Sequence, residues 1–324
     1  MSGLRSAWRA WVAITSQKEP AIVLAVFRVA ISLSAIGSLL TLADVLPVLW
    51  IDAAHGGAFA LHPTRLVRLF GGPTPGVIWS FWWVALVCAS LSAIGLGGRW
   101  PFLLAGQAYT ALVRTNAGIT GGYDAMIGIA FWILFFSGAS ATLSVDAYRR
   151  AKRWITPDEI PAWPRYVLAL QLVVIYFITG LQKMSPVWTP FGGYSALYWV
   201  YQDPTWRRFD MSFTAKLYPL LQLGTAITWH WELSFPVVLV WLWARRTKER
   251  GGRLRRALLR WDLRKLYLVI GVCMHLGVLL TLNVGPFSFV SVSFYPLFFR
   301  ADEVNALLSR IGLRGATPKP ARAA

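Results

Sequence analysis

Hydrophobic residues in this chain fall in long blocks separated by short polar segments. A helix crossing a bilayer core of ~30 Å needs about 20 predominantly apolar residues. On that template the pattern predicts eight spans: 21–43, 76–97, 101–115, 124–144, 165–185, 218–244, 266–283 and 286–299. The third and eighth are short. The last two form a hairpin around Asn283, Gly285 and Pro286. An amphipathic stretch with Arg5, Trp8, Arg9 and Trp11 precedes the first block. No small-residue cleavage pattern follows that charged start, so the first helix is expected to stay as an anchor. The predicted fold class is an all-α, polytopic membrane helix bundle of about eight transmembrane helices. It divides into an amphipathic segment 1–20, a transmembrane domain 21–300 and a basic tail 301–324, whose last ten or so residues read as disordered.

Composition agrees. Of 324 residues, 56% are hydrophobic and only 14% charged, against about 25% charged in soluble domains. Mean hydropathy is +0.52. A soluble fold could not hide so much apolar surface. The 18 tryptophans suit interfacial aromatic belts. Two cysteines, Cys88 and Cys273, exclude a disulfide framework and a Cys-rich metal site. The four histidines show no close pair with ligand spacing, and neither a phosphate loop nor a nucleophile elbow is present. No metal is expected.

The net charge of +18 would suggest nucleic acid in a soluble chain. Here the basic residues gather in a few loops, as membrane topology signals do, and no nucleic-acid partner is expected. Segment 245–265 holds ten Lys/Arg and two acids, and segment 147–165 holds five basic residues, including Arg149, Arg150, Lys152 and Arg153. Both are predicted cytoplasmic, together with both termini. Loops 44–75 and 186–217 then face outward. The expected location is a multi-pass position in the cell (inner) membrane, with the lipid bilayer as first partner. Binding of anionic head groups by the basic loops is an alternative to a pure topology signal.

Ionisable groups inside such spans are candidates for function by default. Arg28 lies in the first span, where it either snorkels or pairs with a carboxylate. Arg114 and Asp124 flank the turn between the third and fourth spans. A structural ion pair and a substrate-binding role are the two readings there. Tyr176, Gly180 and Lys183 are spaced by four and three residues and share a helix face. A partly desolvated lysine is a competent base, whereas an interfacial lysine simply snorkels. Glu232, with His230 nearby, sits mid-span. Pro236, four residues on, removes the donor that would bond the Glu232 carbonyl and kinks the helix. His275 is central in the seventh span, as a packing residue or a proton-transfer group.

These residues carry a resemblance. "YFITGLQKMSPVW" followed by "GGYS" resembles the vitamin K-dependent gamma-carboxylases and their stand-alone relatives, the horizontally transferred transmembrane (HTTM) domain proteins. The lysine considered the base that deprotonates reduced vitamin K falls on Lys183. The preceding family lysine falls on Gln182, a departure, and two extra residues separate Trp188 from Gly193, Tyr194 and Ser195. "ELSFP" at Glu232 looks like the family's acidic-Leu-Ser segment. His275, Phe287 and "YPLFF" look like its histidine, Phe and Pro-Leu-Phe pattern. "NAGITGGYDAMIGIAFW" and "LSVDA" also match, so the resemblance spans about residues 20–300.

The resemblance implies Lys183 and His275 as catalytic residues. It implies Tyr176, Glu232, Trp188, Arg114 and Asp124 as substrate-binding residues, and reduced vitamin K or menaquinol as the quinone. The implied chemistry is deprotonation of a reduced quinone, its oxygenation to an epoxide, and in the carboxylases a lyase-type carboxylation of glutamate. The carboxylases continue into a large lumenal domain that docks the protein substrate. No counterpart is expected here, which favours quinol epoxidation uncoupled from carboxylation. A second reading is a non-catalytic membrane scaffold for maturation or export of a secreted peptide, with Lys183 paired to Glu232. A transporter with a helix broken around Gly224 and Pro236 is a third.

Overall fold

A computed structural model describes residues 2–313, and among these the chain is helical apart from one two-stranded ribbon. Arg314, Lys319 and Arg322 of the basic tail lie outside the described residues. In chain order the helices are α1 (Ser2–Thr15), α2 (Ile22–Ala43), α3 (Leu46–Leu49), α4 (Arg65–Leu69), α5 (Pro75–Ile94), α6 (Trp100–Val113), α7 (Gly122–Phe135) and α8 (Val145–Ala151). They continue as α9 (Trp163–Gln182), α10 (Ala196–Gln202), α11 (Tyr218–Ser234), α12 (Val237–Arg246), α13 (Arg253–Arg260), α14 (Leu263–Thr281), α15 (Phe287–Ser293) and α16 (Ala301–Arg310). Strands β1 (Lys18–Pro20) and β2 (Glu159–Pro161) pair antiparallel.

Four helices are long and apolar enough to cross a membrane: α2, α5, α9 and α14. They fall where the hydropathy blocks place them. The other blocks are corrected in detail. The block 124–144 is helical only to Phe135, after which turns carry the chain to α8. The block 218–244 is two helices, because Pro236 has no amide to give Glu232. The Phe235 amide takes the Glu232 carbonyl instead, at 3.2 Å. The block 286–299 is the seven-residue α15 followed by a 3₁₀ turn at Tyr295–Phe298.

The chain divides into two compact units, residues 1–168 with 293–324, and residues 169–292. In the first, α2 is the buried centre. Phe27, Arg28, Ile31, Ala35 and Leu39 are all inaccessible, and α2 packs on α5, which packs on α6, which packs on α7. Polar ties fix this stack. The Trp82 indole donates to the Leu39 carbonyl at 2.8 Å. Ser38, Tyr109 and Asp124 form a buried chain of hydrogen bonds joining α2, α6 and α7. Arg28 does not snorkel; it is fully buried and its Nη2 donates to the Leu143 carbonyl. Residues 301–310, read as the start of the tail, form α16, whose Val304 and Leu308 pack against Ile22, Val23 and Ile155. The loop after α2 is pinned by Asp52, whose two oxygens accept the Ala54 and Leu61 amides at 2.9 Å each. The Leu61 bond, then the Ala54 bond, holds this carboxyl below its usual range.

In the second unit, α14 is built inside out. Arg264, Leu268, Gly271 and His275 are its buried residues, spaced by four, three and four on one face. Leu266, Val269, Val272, Leu276 and Leu280 are exposed. A soluble helix would invert this arrangement. Polar groups inside and apolar groups outside suit a hydrocarbon solvent.

Candidate functional site

The site builds from the end of α9. Pro186 forces Ser185 into the extended region, at φ −62° and ψ 139°, so the helix cannot run on. Two 3₁₀ turns follow, Pro186–Trp188 and Pro190–Gly192. Gly192 lies against the first of them. A Cβ there would stand 2.4 Å from the Pro186 carbonyl carbon, so only glycine closes this fold of the chain. The turn ends with Gly193 and Tyr194 both at positive φ, and the Gln222 amide group anchors it by donating to the Gly193 carbonyl at 2.6 Å.

This stop leaves Lys183 just past the helix, facing α11. Gly180 sets the spacing. A Cβ at Gly180 would come within 3.0 Å of the Glu232 Cβ and the Leu233 amide nitrogen. The two helices therefore touch there, and Lys183 Nζ forms an ion pair with Glu232 Oε2. The Glu232 side chain is 8% exposed and that of Lys183 20% exposed. Lys183 Nζ also stands 5.0 Å from the centre of the Trp188 ring, within range of a cation–π contact. Of the two readings of Lys183, head-group snorkelling is thus replaced by a partly buried pair.

The pair opens on a cleft of ≈ 470 Å³ whose walls include Leu181, Met184, Phe191, Trp229 and Leu233 beside Lys183. Cavities of about 300–1,000 Å³ with apolar walls and a few polar groups are the usual form of small-molecule sites. Trp229 also lines the cleft. Its indole nitrogen is buried and has no hydrogen-bond partner among the described residues. Trp229, Glu232 and Leu233 lie at i, i+3 and i+4 and share the α11 face that meets the cleft. Trp229 and the cavity went unseen in the sequence because the walls come from residues on different elements. Only the α11 spacing signals them.

The other predicted residues divide. Tyr176 and His275 meet, with Tyr176 Oη 2.7 Å from His275 Nε2. They sit in an aromatic cluster with Trp231 and Phe235, 4.7 and 4.8 Å from the Tyr176 ring centre, and Phe287, 5.2 Å from His275. His275 is 1% exposed and is not part of the cleft lining. His275, implied with Lys183 as catalytic, thus does not join it in this lining. His230 turns away from Glu232; its Nδ1 contacts the Ala226 carbonyl at 2.8 Å.

Arg114 and Asp124, in the first unit, do not make the anticipated ion pair. Arg114 is exposed, while Asp124 accepts from Tyr109 and from the Gly121 amide. The carboxylate thereby caps α7 and takes a neutral donor.

Comparison with known proteins adds the lineage. No curated protein and no solved structure matches the chain. The model of the HTTM domain matches residues 17–248, more than two thirds of the sequence, including Lys183, Trp188 and Glu232 but not His275. This protein is a helical membrane protein that belongs to the HTTM domain family.

Proposed function

We propose that the second unit binds a reduced quinone, of the menaquinol or vitamin K class, in the cleft beside Lys183. In this reading Lys183 is the proton acceptor of a quinol-dependent oxygenase or epoxidase. The observation that carries it is the Lys183–Glu232 pair at the edge of an apolar cleft that Trp229 helps to line. Apolar walls suit an isoprenoid-bearing ring. An amine held by a carboxylate suits an acidic hydroxyl.

The bound quinol would supply the reducing equivalents for oxygen chemistry. The chain's own part is narrower. Leu181, Met184, Phe191 and Leu233 would offer apolar contact to the ring. Glu232 holds the Lys183 side chain in place; the neutral amine would accept the quinol proton at Nζ, and the ammonium so formed would be balanced by that carboxylate. Proton transfer by a positioned base contributes about 10²–10⁴-fold.

A second reading has its own support. The Lys183–Glu232 pair is what a non-catalytic scaffold for a secreted peptide requires as internal glue. The absence of His275 from the cleft lining also weighs toward it.

The test uses purified protein in nanodiscs, chemically reduced menaquinone and oxygen, with the epoxide followed by mass spectrometry. The catalytic reading expects epoxide from the native protein and a loss of roughly 10²-fold or more in Lys183→Ala, at unchanged helix content. No epoxide from folded native protein overturns it in favour of the scaffold.

A further inference from the structure

The connection between α12 and α14 has a chemistry that the quinol reading does not use. Residues 245–265 carry ten Lys/Arg against Glu249 and Asp262, a net of 10 − 2 = +8. Both acids are already engaged. Glu249 pairs with Lys248 at 3.6 Å, and Asp262 with Arg264 at 2.7 Å and Lys265 at 3.6 Å. Arg255 is also held inward, donating to Thr247 Oγ1 and the Gly251 carbonyl and stacking 4.6 Å over Trp243.

The remaining positive charge is organised by α13. Arg253, Arg256 and Arg260 are spaced by three and four residues, so they form one row along the helix, and all three are exposed. None of the three makes an ion pair among the described residues. Leu254 and Leu258 form a second row. Leu254 is 66% exposed, as is Trp261 just beyond the helix. The ends are fixed: the Trp241 indole donates to the Trp261 carbonyl at 3.0 Å, and Arg264 lies 5.0 Å over the Trp241 ring. The segment is thus tied to the ends of α12 and α14, two helices with exposed apolar flanks.

We infer that α13 and Trp261 form a docking surface for anionic phospholipid head groups, with the arginine row on the phosphates and Leu254 and Trp261 in the acyl boundary. Charge complementarity selects an anionic partner. The exposed leucine and tryptophan beside the arginines select a lipid over a nucleic acid, which offers no hydrocarbon to cover them.

The experiment is a titration of the full-length protein in detergent with phosphatidylglycerol or phosphatidylcholine, read by native mass spectrometry. Each surface arginine contributes about fivefold in affinity for an anionic lipid. The native protein is expected to prefer phosphatidylglycerol. R253Q/R256Q/R260Q should lose roughly a hundredfold of that affinity, and a charge-matched R149Q/K152Q/R153Q variant should lose far less. Should the triple variant fold poorly, R256Q alone is scored against the expected fivefold loss. Equal binding of the two lipids, equal loss in both triple variants, competition by millimolar inorganic phosphate alone, or a preference for single-stranded RNA over the lipid would each overturn the inference.

Discussion

Lys183 and Glu232 hold each other in a setting that neither tolerates alone. Glu232 is nearly buried, and a buried carboxylate without its counter-charge keeps the full desolvation cost. Lys183→Ala is expected to destabilise the protein by about 3 kcal/mol, measured by unfolding in mixed micelles. The paired replacement Lys183→Met with Glu232→Leu should recover most of that loss, because two apolar side chains of similar volume remove both charges at once. If the double variant were as unstable as the sum of the singles, the two groups would not be coupled, and Glu232 would lose its place as the partner that positions Lys183. The sequence makes this pair legible only in part. The spacing of Tyr176, Gly180 and Lys183 puts them on one face, and Gly180 signals a close neighbour. The pairing with Glu232, 49 positions away, is one of the readings the residues allow, though no local pattern selects it. The Tyr109–Asp124 bond escapes for the same reason: two polar residues on different arms of a helical hairpin carry no periodic signature.

At the scale of elements, hydropathy finds the long helices and misses what joins them. Ile22–Ala43, Pro75–Ile94, Trp163–Gln182 and Leu263–Thr281 lie within a few residues of their hydrophobic blocks, since about 20 apolar residues leave the backbone no alternative in lipid. The β1–β2 ribbon is illegible because three-residue strands have no pattern. A single arginine secures it. Arg165 Nε and Nη2 clasp Glu19 at 2.7 and 2.6 Å, and Nη1 donates to the Leu297 carbonyl at 3.1 Å. The start of α9, strand β1 and the turn before α16 thus meet on one guanidinium. An ammonium cannot reproduce this fork. Arg165→Lys should therefore cost nearly as much as Arg165→Ala, about 2 kcal/mol in either case, with faster hydrogen exchange at the β1 and β2 amides. A lysine variant as stable as the native protein would show that the charge matters and the fork does not.

The whole molecule poses the question of how many times the chain crosses. Helices α6 and α7 have 14 residues each, or about 21 Å at 1.5 Å per residue, against a core of ~30 Å. A re-entrant hairpin and a pair of crossings leave segment 147–165 on the same side, so its five basic residues do not decide between them. Contacts inside the first unit favour the crossings. Near one end of the hairpin, Arg28 on α2 meets Leu143, which follows α7. At the other, Ser38 meets Tyr109, and Tyr109 meets Asp124 at the start of α7. Beyond that, the Asn116 side chain donates to the Leu49 carbonyl at 2.6 Å. The α6–α7 turn thus stands beside the chain that has just left α2, and the hairpin reaches as far as α2 does. Charge then orients it. Segment 44–75 has Arg65 and Arg68 against Asp44 and Asp52, no excess, whereas 245–265 has ten basic residues against two acids. In a cysteine-free background, Gly118→Cys and Gly71→Cys are expected to react with a membrane-impermeant maleimide added to intact cells, and Gly251→Cys only after lysis. A Gly118→Cys protein that stays unlabelled while Gly71→Cys reacts would mean that the hairpin turns back within the bilayer. The protein would then have two crossings fewer than its hydropathy predicts.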